Sequence, residues 1–234
     1  MIEITSLASG SSGNCYRVTD GNTPLLLECG IPFKQIKQGL DFQTSELAGC
    51  LVSHCHMDHC KAVKDVMKAG IDCYASKGTF DALGISGHRA AAVWPRGLFE
   101  IGTWIVLPFQ TEHDAAEPLG FLLYSRETRE KLLFATDTFY VRYRFRCLTH
   151  LMIECNYALD ILQDNVSAGR IAPDRKNRLL KSHFSLANVK EFLMANDLSR
   201  VREIHLIHLS NDNSDAARFK REIQELTGKM VYCE

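Results

Sequence analysis

The sequence predicts an α/β fold in which two β-sheets pack against each other and helices cover their outer faces. The predicted strands fall into two groups along the chain, and helices follow each group, which is the order expected of layered sheets and helices. The chain has 234 residues, 46% of them hydrophobic, which is enough for a well-packed core. No linker, repeat or low-complexity tract interrupts it, so a single domain over residues 1–234 is expected.

The first group of elements opens with three short strands separated by turns rich in Gly, Ser and Asn. These strands are predicted at 2–7, 16–19 and 25–29. A fourth strand, 49–53, leads into a His-rich segment, and a helix with apolar spacing over 60–69 ends at Gly70. A strand at 71–75 and a short helix near 77–83 complete the group.

The second group is rich in strands and ends in helices. Its strands are predicted at 103–108, 120–125, 131–135, 151–154 and 203–208. Its helices are predicted from near Ala158, over 174–181 and 185–196, and over 216–226 with Gly228 at the end.

Composition excludes several classes of protein. The net charge of −1 provides no bulk attraction to nucleic acid or anionic membranes. No apolar run has the length of a membrane span, and no signal peptide precedes the first strand, so no membrane association is expected. The nine cysteines are an odd number without a C-x-x-C pair, which favours a reduced, cytoplasmic setting.

The segment 53–60, Ser-His-Cys-His-Met-Asp-His-Cys, is the most informative part of the chain. His54, His56, Asp58 and His59 place three imidazoles and a carboxylate within six positions, directly after a strand. Imidazole and carboxylate together suit zinc, manganese or iron(II), so we predict a metal site rather than a His-rich surface turn. The neighbouring cysteines are interpreted as small filling residues, with soft metal ligation as the alternative.

Three further ligand candidates follow later strands. His113, with Asp114 beside it, comes after 103–108, Asp137 comes after 131–135, and His208 ends 203–208. A rigid strand that presents a ligand at the edge of a sheet repeats the arrangement of the first motif. A helix cap or an ordinary hydrogen-bonded polar group is the alternative at each position.

Together these motifs resemble the metallo-β-lactamase superfamily, and more narrowly its YycJ/WalJ-type group, relatives of ribonuclease Z and the phosphodiesterase PhnP. The resemblance covers nearly the whole chain. It is carried by the Gly/Ser-rich run 6–14, the motif 53–59 and the segments 113–121, 135–138 and 208–210.

The resemblance implies a four-layer αββα sandwich that holds two divalent metal ions, zinc or manganese, with iron as a further choice. It assigns His54, His56 and His113 to one ion and Asp58, His59 and His208 to the other, and it makes Asp137 a bridge. A hydroxide shared by the two ions is then the nucleophile. Glu28, where relatives carry Asp, and Asp114 are expected to support the ligands through hydrogen bonds. Glu154-Cys155-Asn156-Tyr157 lacks a histidine that relatives carry there.

Other residues bear on the substrate. His183 matches a histidine that lies near the metals in that family group, and it is predicted to be catalytic together with Asp58 of the first motif. The alternative for the segment around His183 is an ordinary helix start capped by Ser185. Ser11 and Asn14 could present a loop to an anion, or simply close a hairpin. Arg142 and Arg144, between aromatic residues, could follow a phosphate backbone, or form a solvated face.

The leading hypothesis is a two-metal phosphodiesterase, a DNA exonuclease in particular, acting on nucleic acid or a small phosphodiester. A glyoxalase II-like thioester or lactone hydrolase and a non-catalytic metal-binding interaction protein are the alternatives. The oligomeric state stays open. Four large aromatic residues are expected to pack in the core: Trp94, Trp104, Phe121 and Phe134.

Overall fold

The computed structural model describes the whole chain, Met1–Glu234. The chain folds into two compact units. Unit 1 comprises Met1–Gln110 and Ala115–Glu130, and unit 2 comprises Thr111–Asp114 and Lys131–Glu234. The single domain over 1–234 therefore stays a prediction. None of the helices combines the length and the apolar character that a membrane crossing requires.

Unit 1 contains a six-stranded sheet whose strands lie in chain order. The strands are β1 (Glu3–Ala8), β2 (Cys15–Thr19), β3 (Leu25–Leu27), β4 (Gly49–Leu51), β5 (Cys73–Ala75) and β6 (Ala90–Ala92). The first three strands pair antiparallel, whereas β3 to β6 pair in parallel. Because parallel strands end at one edge, the segments that leave β4, β5 and β6 emerge side by side.

The remaining elements of unit 1 are helices and an antiparallel group of strands. The helices are α1 (Phe33–Gly39), α2 (Met57–Cys60), α3 (Val63–Lys68) and α4 (Lys77–Leu83), and the strands are β7 (Phe99–Ile101), β8 (Trp104–Gln110) and β9 (Leu119–Ser125). A buried cluster that includes Cys50, Val52 and Val66 packs the sheet against helices. Local signals bound α4, where Ser76 caps the first turn and Gly84 adopts the left-handed conformation after the last.

Unit 2 is built on four parallel strands and four helices. The strands, in register order, are β10 (Lys131–Ala135), β11 (His150–Glu154), β12 (Glu203–Ile207) and β13 (Met230–Cys233). The helices are α5 (Leu159–Ser167), α6 (Pro173–Ser182), α7 (Leu186–Met194) and α8 (Ala216–Thr227). Ser185 caps α7, which is the alternative interpretation given for this segment, and Gly228 ends α8, as the sequence predicts.

Two expectations from the sequence differ from the structure. The helix predicted over 60–69 is two helices, α2 and α3, because the Ala62 amide donates to the Cys29 carbonyl (2.9 Å) and turns the chain between them. Trp94 is 66% exposed, so the expectation that it packs in the core is wrong, whereas Trp104 is fully buried as expected. Helix α1 and strands β6, β7 and β13 are short or weakly patterned and were not predicted.

Candidate metal centre

In unit 1, His54 and His56 bring two ring nitrogens together immediately after β4. The Nε2 atom of His54 lies 3.1 Å from Nδ1 of His56. Two nitrogen ligands of one tetrahedral zinc ion lie about 3.3 Å apart, given Zn–N distances near 2.0–2.1 Å. The other nitrogen of His54, Nδ1, pairs with the Ser53 hydroxyl at 2.9 Å and so fixes the orientation of the ring. Both rings are therefore arranged as ligands of one cation would be.

Helix α2 positions the other two residues of the motif. The Nε2 atom of His59 lies 3.4 Å from a carboxylate oxygen of Asp58. The His59 ring is fully buried and its centroid lies 4.2 Å from that of His54. One turn of helix therefore presents an imidazole and a carboxylate on the side where the two preceding histidines lie.

The loop 9–14 and the segment after β3 hold this motif in place through its backbone. The Asp58 carbonyl accepts hydrogen bonds from the Asn14 amide (2.7 Å) and from the Asn14 side chain (3.2 Å). Gly30 approaches the same carbonyl so closely that a Cβ atom would lie 1.7 Å from it, which excludes any larger residue. Asn14 is fully buried whereas Ser11 is exposed at the loop tip, and a substrate-binding role for either residue stays a prediction.

Glu28 is a fully buried carboxylate beside the motif. It accepts the Ser53 amide (3.1 Å), and an oxygen lies 3.7 Å from Nδ1 of His59. Burial raises the pKa of Glu28, although the hydrogen bond and charge of His59 act in the opposite direction. Its position fits the predicted support of a ligand histidine.

Unit 2 gathers a second group of ligand-type atoms. Asp137, Glu154, His183 and His208 each contribute one such atom, and these atoms lie within 4.8 Å of one another. Three of the four residues stand at or just after the carboxyl ends of neighbouring parallel strands, β10, β11 and β12. His208 is the centre of the group, because its Nδ1 lies 2.9 Å from oxygens of both Asp137 and Glu154.

Glu154 is the site residue that sequence reasoning missed. It is fully buried and accepts from Nδ1 of His183 (2.6 Å) and from the amides of Thr138 and Phe184 (3.0 Å each). Burial opposes the charged form, but the charge and hydrogen bond of His183 outweigh it, so the pKa of Glu154 is lowered. Glu154 could have been identified by its position at the end of β11, because Asp137 and His208 are predicted as ligands from the same kind of position at the end of a strand.

Two further histidines of unit 2, His113 and His183, differ in which charge state their surroundings favour. Nδ1 of His113 is 2.9 Å from the Ser182 carbonyl and donates to it, which leaves Nε2 as a ligand atom 3.5 Å from Asp137. Burial lowers the pKa of His113, so its ring favours the neutral form that binds metals. Burial acts the same way on His183, but the Glu154 carboxylate outweighs it and raises the pKa of His183.

Several site residues have the left-handed backbone that non-glycine residues rarely adopt. The φ angles are 65° at Glu28, 33° at Asp137 and 53° at His208. Each such residue costs of order 1–3 kcal/mol unless its surroundings hold it in place. All three follow a strand directly or by one residue, so the strain accompanies the turn of the chain at the sheet edge.

The predicted substrate residues of unit 2 lie at the surface. Arg142 and Arg144 are exposed, and Arg142 pairs with Glu112 (2.7 Å). Buried Val141 and Phe145 alternate with these arginines, and the segment borders a cavity of about 190 Å³ that Phe184 also lines.

Asp114 pairs with exposed Arg178 (2.8 Å) and lies 3.4 Å from Nε2 of His113.

The donor set as a whole fits divalent metal ions. It consists of imidazole nitrogens and carboxylate oxygens, which suit zinc, manganese and iron. Cys60 does not fit as a thiolate ligand, because burial raises its pKa to about 12 and the thiol donates to the His56 carbonyl (3.1 Å). These observations on Cys60 favour its interpretation as a small filling residue.

Comparison with known proteins places these features in context. The profile of the Metallo-beta-lactamase superfamily matches residues 8–164. "Exodeoxyribonuclease WalJ" of Streptococcus pneumoniae is 29% identical over 225 residues, covering 89% of this chain and 81% of that protein. "Exodeoxyribonuclease YycJ" of Bacillus anthracis is 27% identical over 228 residues, covering 91% and 84%. The predicted resemblance to this group is confirmed.

Solved structures share the fold at low sequence identity. The metallo-beta-lactamase fold protein YhfI of Bacillus subtilis superposes with a TM-score of 0.74 at 15% identity, covering 100% of this chain and 96% of that chain. Human tRNase Z, short form, gives 0.66 at 12% identity, with coverages of 100% and 96%. A diphosphatase from the PhnP family gives 0.67 at 14% identity, with coverages of 100% and 95%. The predicted α/β fold class, the αββα sandwich, is confirmed.

Proposed function

This chain belongs to the metallo-beta-lactamase superfamily and is a metal-dependent hydrolase, and from that premise we propose that it is a two-metal phosphodiesterase that degrades DNA from an end. The observation that carries the proposal is the group of Asp137, Glu154, His183 and His208. It combines a donor set suited to divalent metals with a histidine whose pKa the Glu154 carboxylate raises. Support for DNA comes from the relatives named exodeoxyribonucleases.

We propose that the seven predicted ligands divide between two metal ions. His54, His56 and His113 would hold one ion, Asp58, His59 and His208 would hold the other, and Asp137 would be a ligand of both. Two divalent ions held by these residues would lower the pKa of water and stabilise the charge that develops on a phosphodiester during in-line displacement. We therefore expect a chelator to abolish activity and zinc or manganese to restore it.

The protein's own residues then supply orientation and a proton. The hydrogen bond from Nδ1 of His183 to Glu154 leaves the Nε2 proton available for the leaving oxygen of the substrate. The exposed guanidinium groups of Arg142 and Arg144 can neutralise phosphates along the strand. The loop that carries Ser11 and Asn14 orients Asp58 through its carbonyl.

A cleavage assay tests the proposal. End-labelled single- and double-stranded DNA and RNA are incubated with the purified protein and either zinc or manganese, beside the Asp58→Ala and His208→Ala variants. We expect stepwise shortening of DNA that both substitutions abolish while circular dichroism shows the fold retained. Stepwise products identify an exonuclease, whereas internal fragments identify an endonuclease.

The same assay distinguishes the proposal from its alternatives. Turnover of thioesters or lactones without any phosphodiester turnover would overturn it in favour of an acyl hydrolase. Nucleic-acid binding that needs no metal, with no turnover of any of these substrates, would overturn it in favour of a binding protein.

A further inference from the structure

Trp94 is a large aromatic residue that the metal chemistry does not use. Its side chain is 66% exposed, whereas Trp104, the other tryptophan, is fully buried. Exposing so much of an indole forgoes stabilisation of roughly 25 cal/mol for each Å² of apolar surface left in water. The arrangement therefore calls for an explanation outside the packing of the core.

A rigid turn holds Trp94 in place. The Gly97 amide donates to the Trp94 carbonyl (3.0 Å) and closes a turn in which Arg96 has a φ of 68°. The Arg96 amide donates to Pro108 in β8 (2.9 Å), which ties the turn to the sheet. The indole lies against Gly97 so closely that a Cβ atom there would be 2.5 Å from Nε1. The backbone that carries the ring is thus held in place before any ligand arrives, which lowers the entropic cost of binding.

A groove with mixed chemistry runs beside Trp94. It encloses about 560 Å³ and is lined by apolar Val93, Pro118 and Leu119 together with Lys77 and Glu117. The Glu117 carboxylate accepts the Gly78 amide (2.6 Å), and Lys77 pairs with Asp81.

Arg96 adds an exposed guanidinium on the same turn. An exposed indole, an apolar groove with one cation in its lining and a second cation on the adjacent turn form a combination suited to a base and its phosphate.

The groove is continuous with the segment that carries the first metal motif. The Leu119 amide donates to the Ser53 carbonyl (2.9 Å), one residue before His54, and the Val93 amide donates to Ala75 at the end of β5 (2.9 Å). The groove and the motif therefore share the edge of the sheet where β4, β5 and β6 end. Under the proposed function, a polymer bound at the motif would follow this edge toward Trp94.

We propose that Trp94 and its groove form a subsite that stacks a nucleobase of single-stranded nucleic acid, with Lys77 and Arg96 contacting the phosphates beside it. This inference rests on the proposed function and adds to it a contact with the base. Stacking on an aromatic side chain tolerates any base, because every base has a π-face. The subsite therefore favours single strands over duplexes without selecting a sequence.

Tryptophan fluorescence tests the subsite directly. Because Trp104 is buried, quenching by an added ligand reports on Trp94. We expect an eight-residue oligothymidylate to quench the fluorescence of the Asp58→Ala variant, in which cleavage is expected to be abolished, and an abasic chain of equal length to quench it far less. Equal quenching by the two chains, or quenching by neither, would overturn the subsite.

Steady-state kinetics supply a second readout. Trp94→Ala is expected to raise KM for single-stranded DNA by about 5- to 150-fold, the equivalent of about 1–3 kcal/mol per stacked base, and Trp94→Phe by much less. Leu98→Ala removes a side chain that is 67% exposed a few residues away, outside the groove, and is the matched control. An unchanged KM in Trp94→Ala, or an equal rise in Leu98→Ala, contradicts the proposal.

Failure of the subsite and failure of the proposed function remain distinguishable. Bis(4-nitrophenyl) phosphate, a diester without nucleobases, is assayed in parallel. If wild type hydrolyses this diester and Trp94→Ala leaves the KM for DNA unchanged, the subsite alone is overturned. No hydrolysis of any diester by wild type overturns the proposed function, while the fluorescence titration still tests base stacking. A dimer in light scattering that Trp94→Ala converts to a monomer would assign the groove to a second copy of the chain instead.

Discussion

Two fully buried glutamates, Glu28 in unit 1 and Glu154 in unit 2, each lie beside ligand-type histidines of their own unit. Their pKa values are shifted in opposite directions. Glu28 accepts one amide and lies 3.7 Å from His59, and burial raises its pKa. Glu154 accepts two imidazoles and two amides, and its pKa is lowered although it is just as buried. Burial alone therefore does not decide the charge of a carboxyl group, because neighbouring charges and hydrogen-bond donors can outweigh it.

The difference extends to how each unit supplies its ligands. Unit 1 takes His54, His56, Asp58 and His59 from one short segment, so local backbone geometry brings them together. Unit 2 takes its group from the ends of three strands and the end of α6, so only the sheet brings them together. In unit 2 the Glu154 carboxylate links this dispersed group, because it accepts hydrogen bonds from both His183 and His208.

The largest expected effect is that of Glu154→Gln. The substitution removes the charge that His183 and His208 share, and we expect a loss of about 100-fold in activity and in metal affinity. Leaving buried partners unpaired also lowers the free energy of unfolding by about 3 kcal/mol. Metal content, kinetics and urea denaturation measure these losses, with exposed Glu225→Gln on α8 as the control. Near-wild-type activity would show that Glu154 does not join the group.

Glu28→Gln is expected to have a smaller effect and sharpens the comparison. Glutamine resembles the protonated acid that the raised pKa of Glu28 favours, and it still accepts the Ser53 amide. We expect a loss of metal affinity of about 10-fold or less, at the low end for residues that support ligands. The same metal-binding titration measures it. A loss as large as that of Glu154→Gln would break the contrast between the two units.

A third carboxylate extends the comparison to stability away from the metals. Asp20 in unit 1 accepts the hydroxyls of Thr103 (2.6 Å) and Ser125 (2.7 Å) and the Thr23 amide (2.9 Å). Burial opposes its charge, but these hydrogen bonds outweigh it and lower the pKa of Asp20. We expect Asp20→Asn to lower the free energy of unfolding by about 1–3 kcal/mol at neutral pH.

The pH dependence of that loss follows from the direction of the shift. A lowered pKa in the folded state gives stability that is present above the unfolded pKa, about 3.9, and lost as the pH falls through the folded pKa. The difference in unfolding free energy between wild type and Asp20→Asn should be constant from about pH 5 to 7 and shrink below about pH 4. Urea denaturation across this range measures it, and a difference that grows on acidification would contradict the assignment.

The smallest effect is expected on the surface of unit 2. Arg218 pairs with Glu222 (2.7 Å) and with Asp160 (2.6 Å), and the Asp160 side chain is 60% exposed. Because solvent screens such pairs, Arg218→Ala should change the free energy of unfolding by at most about 1 kcal/mol, and by less in high salt. Thermal denaturation at two salt concentrations checks this. A change of several kcal/mol would show that this network stabilises unit 2 as strongly as the buried group does.

Elements with strong local signals could be predicted from the sequence. The helix at 77–83 matches α4 and the strand at 131–135 matches β10, because a cap or a turn bounds each of them. Strand β6, Ala90–Ala92, has no such pattern, and its pairing with β5 comes from the sheet. The break between α2 and α3 depends on a hydrogen bond to Cys29, more than thirty positions earlier, which no local pattern encodes.

The sequence by itself indicated the metal-binding character of this protein, because four ligand-type side chains within six positions converge once the strand that carries the first two is followed by a single turn of helix. It also determined the family, through motifs that stand where strands end. Only the tertiary structure decided that Glu154 joins His183 and His208, and that Trp94 faces solvent while Trp104 is buried. The physical reason is distance along the chain: pairing and burial between remote residues depend on which strands and turns meet, and that is a property of the folded sheet.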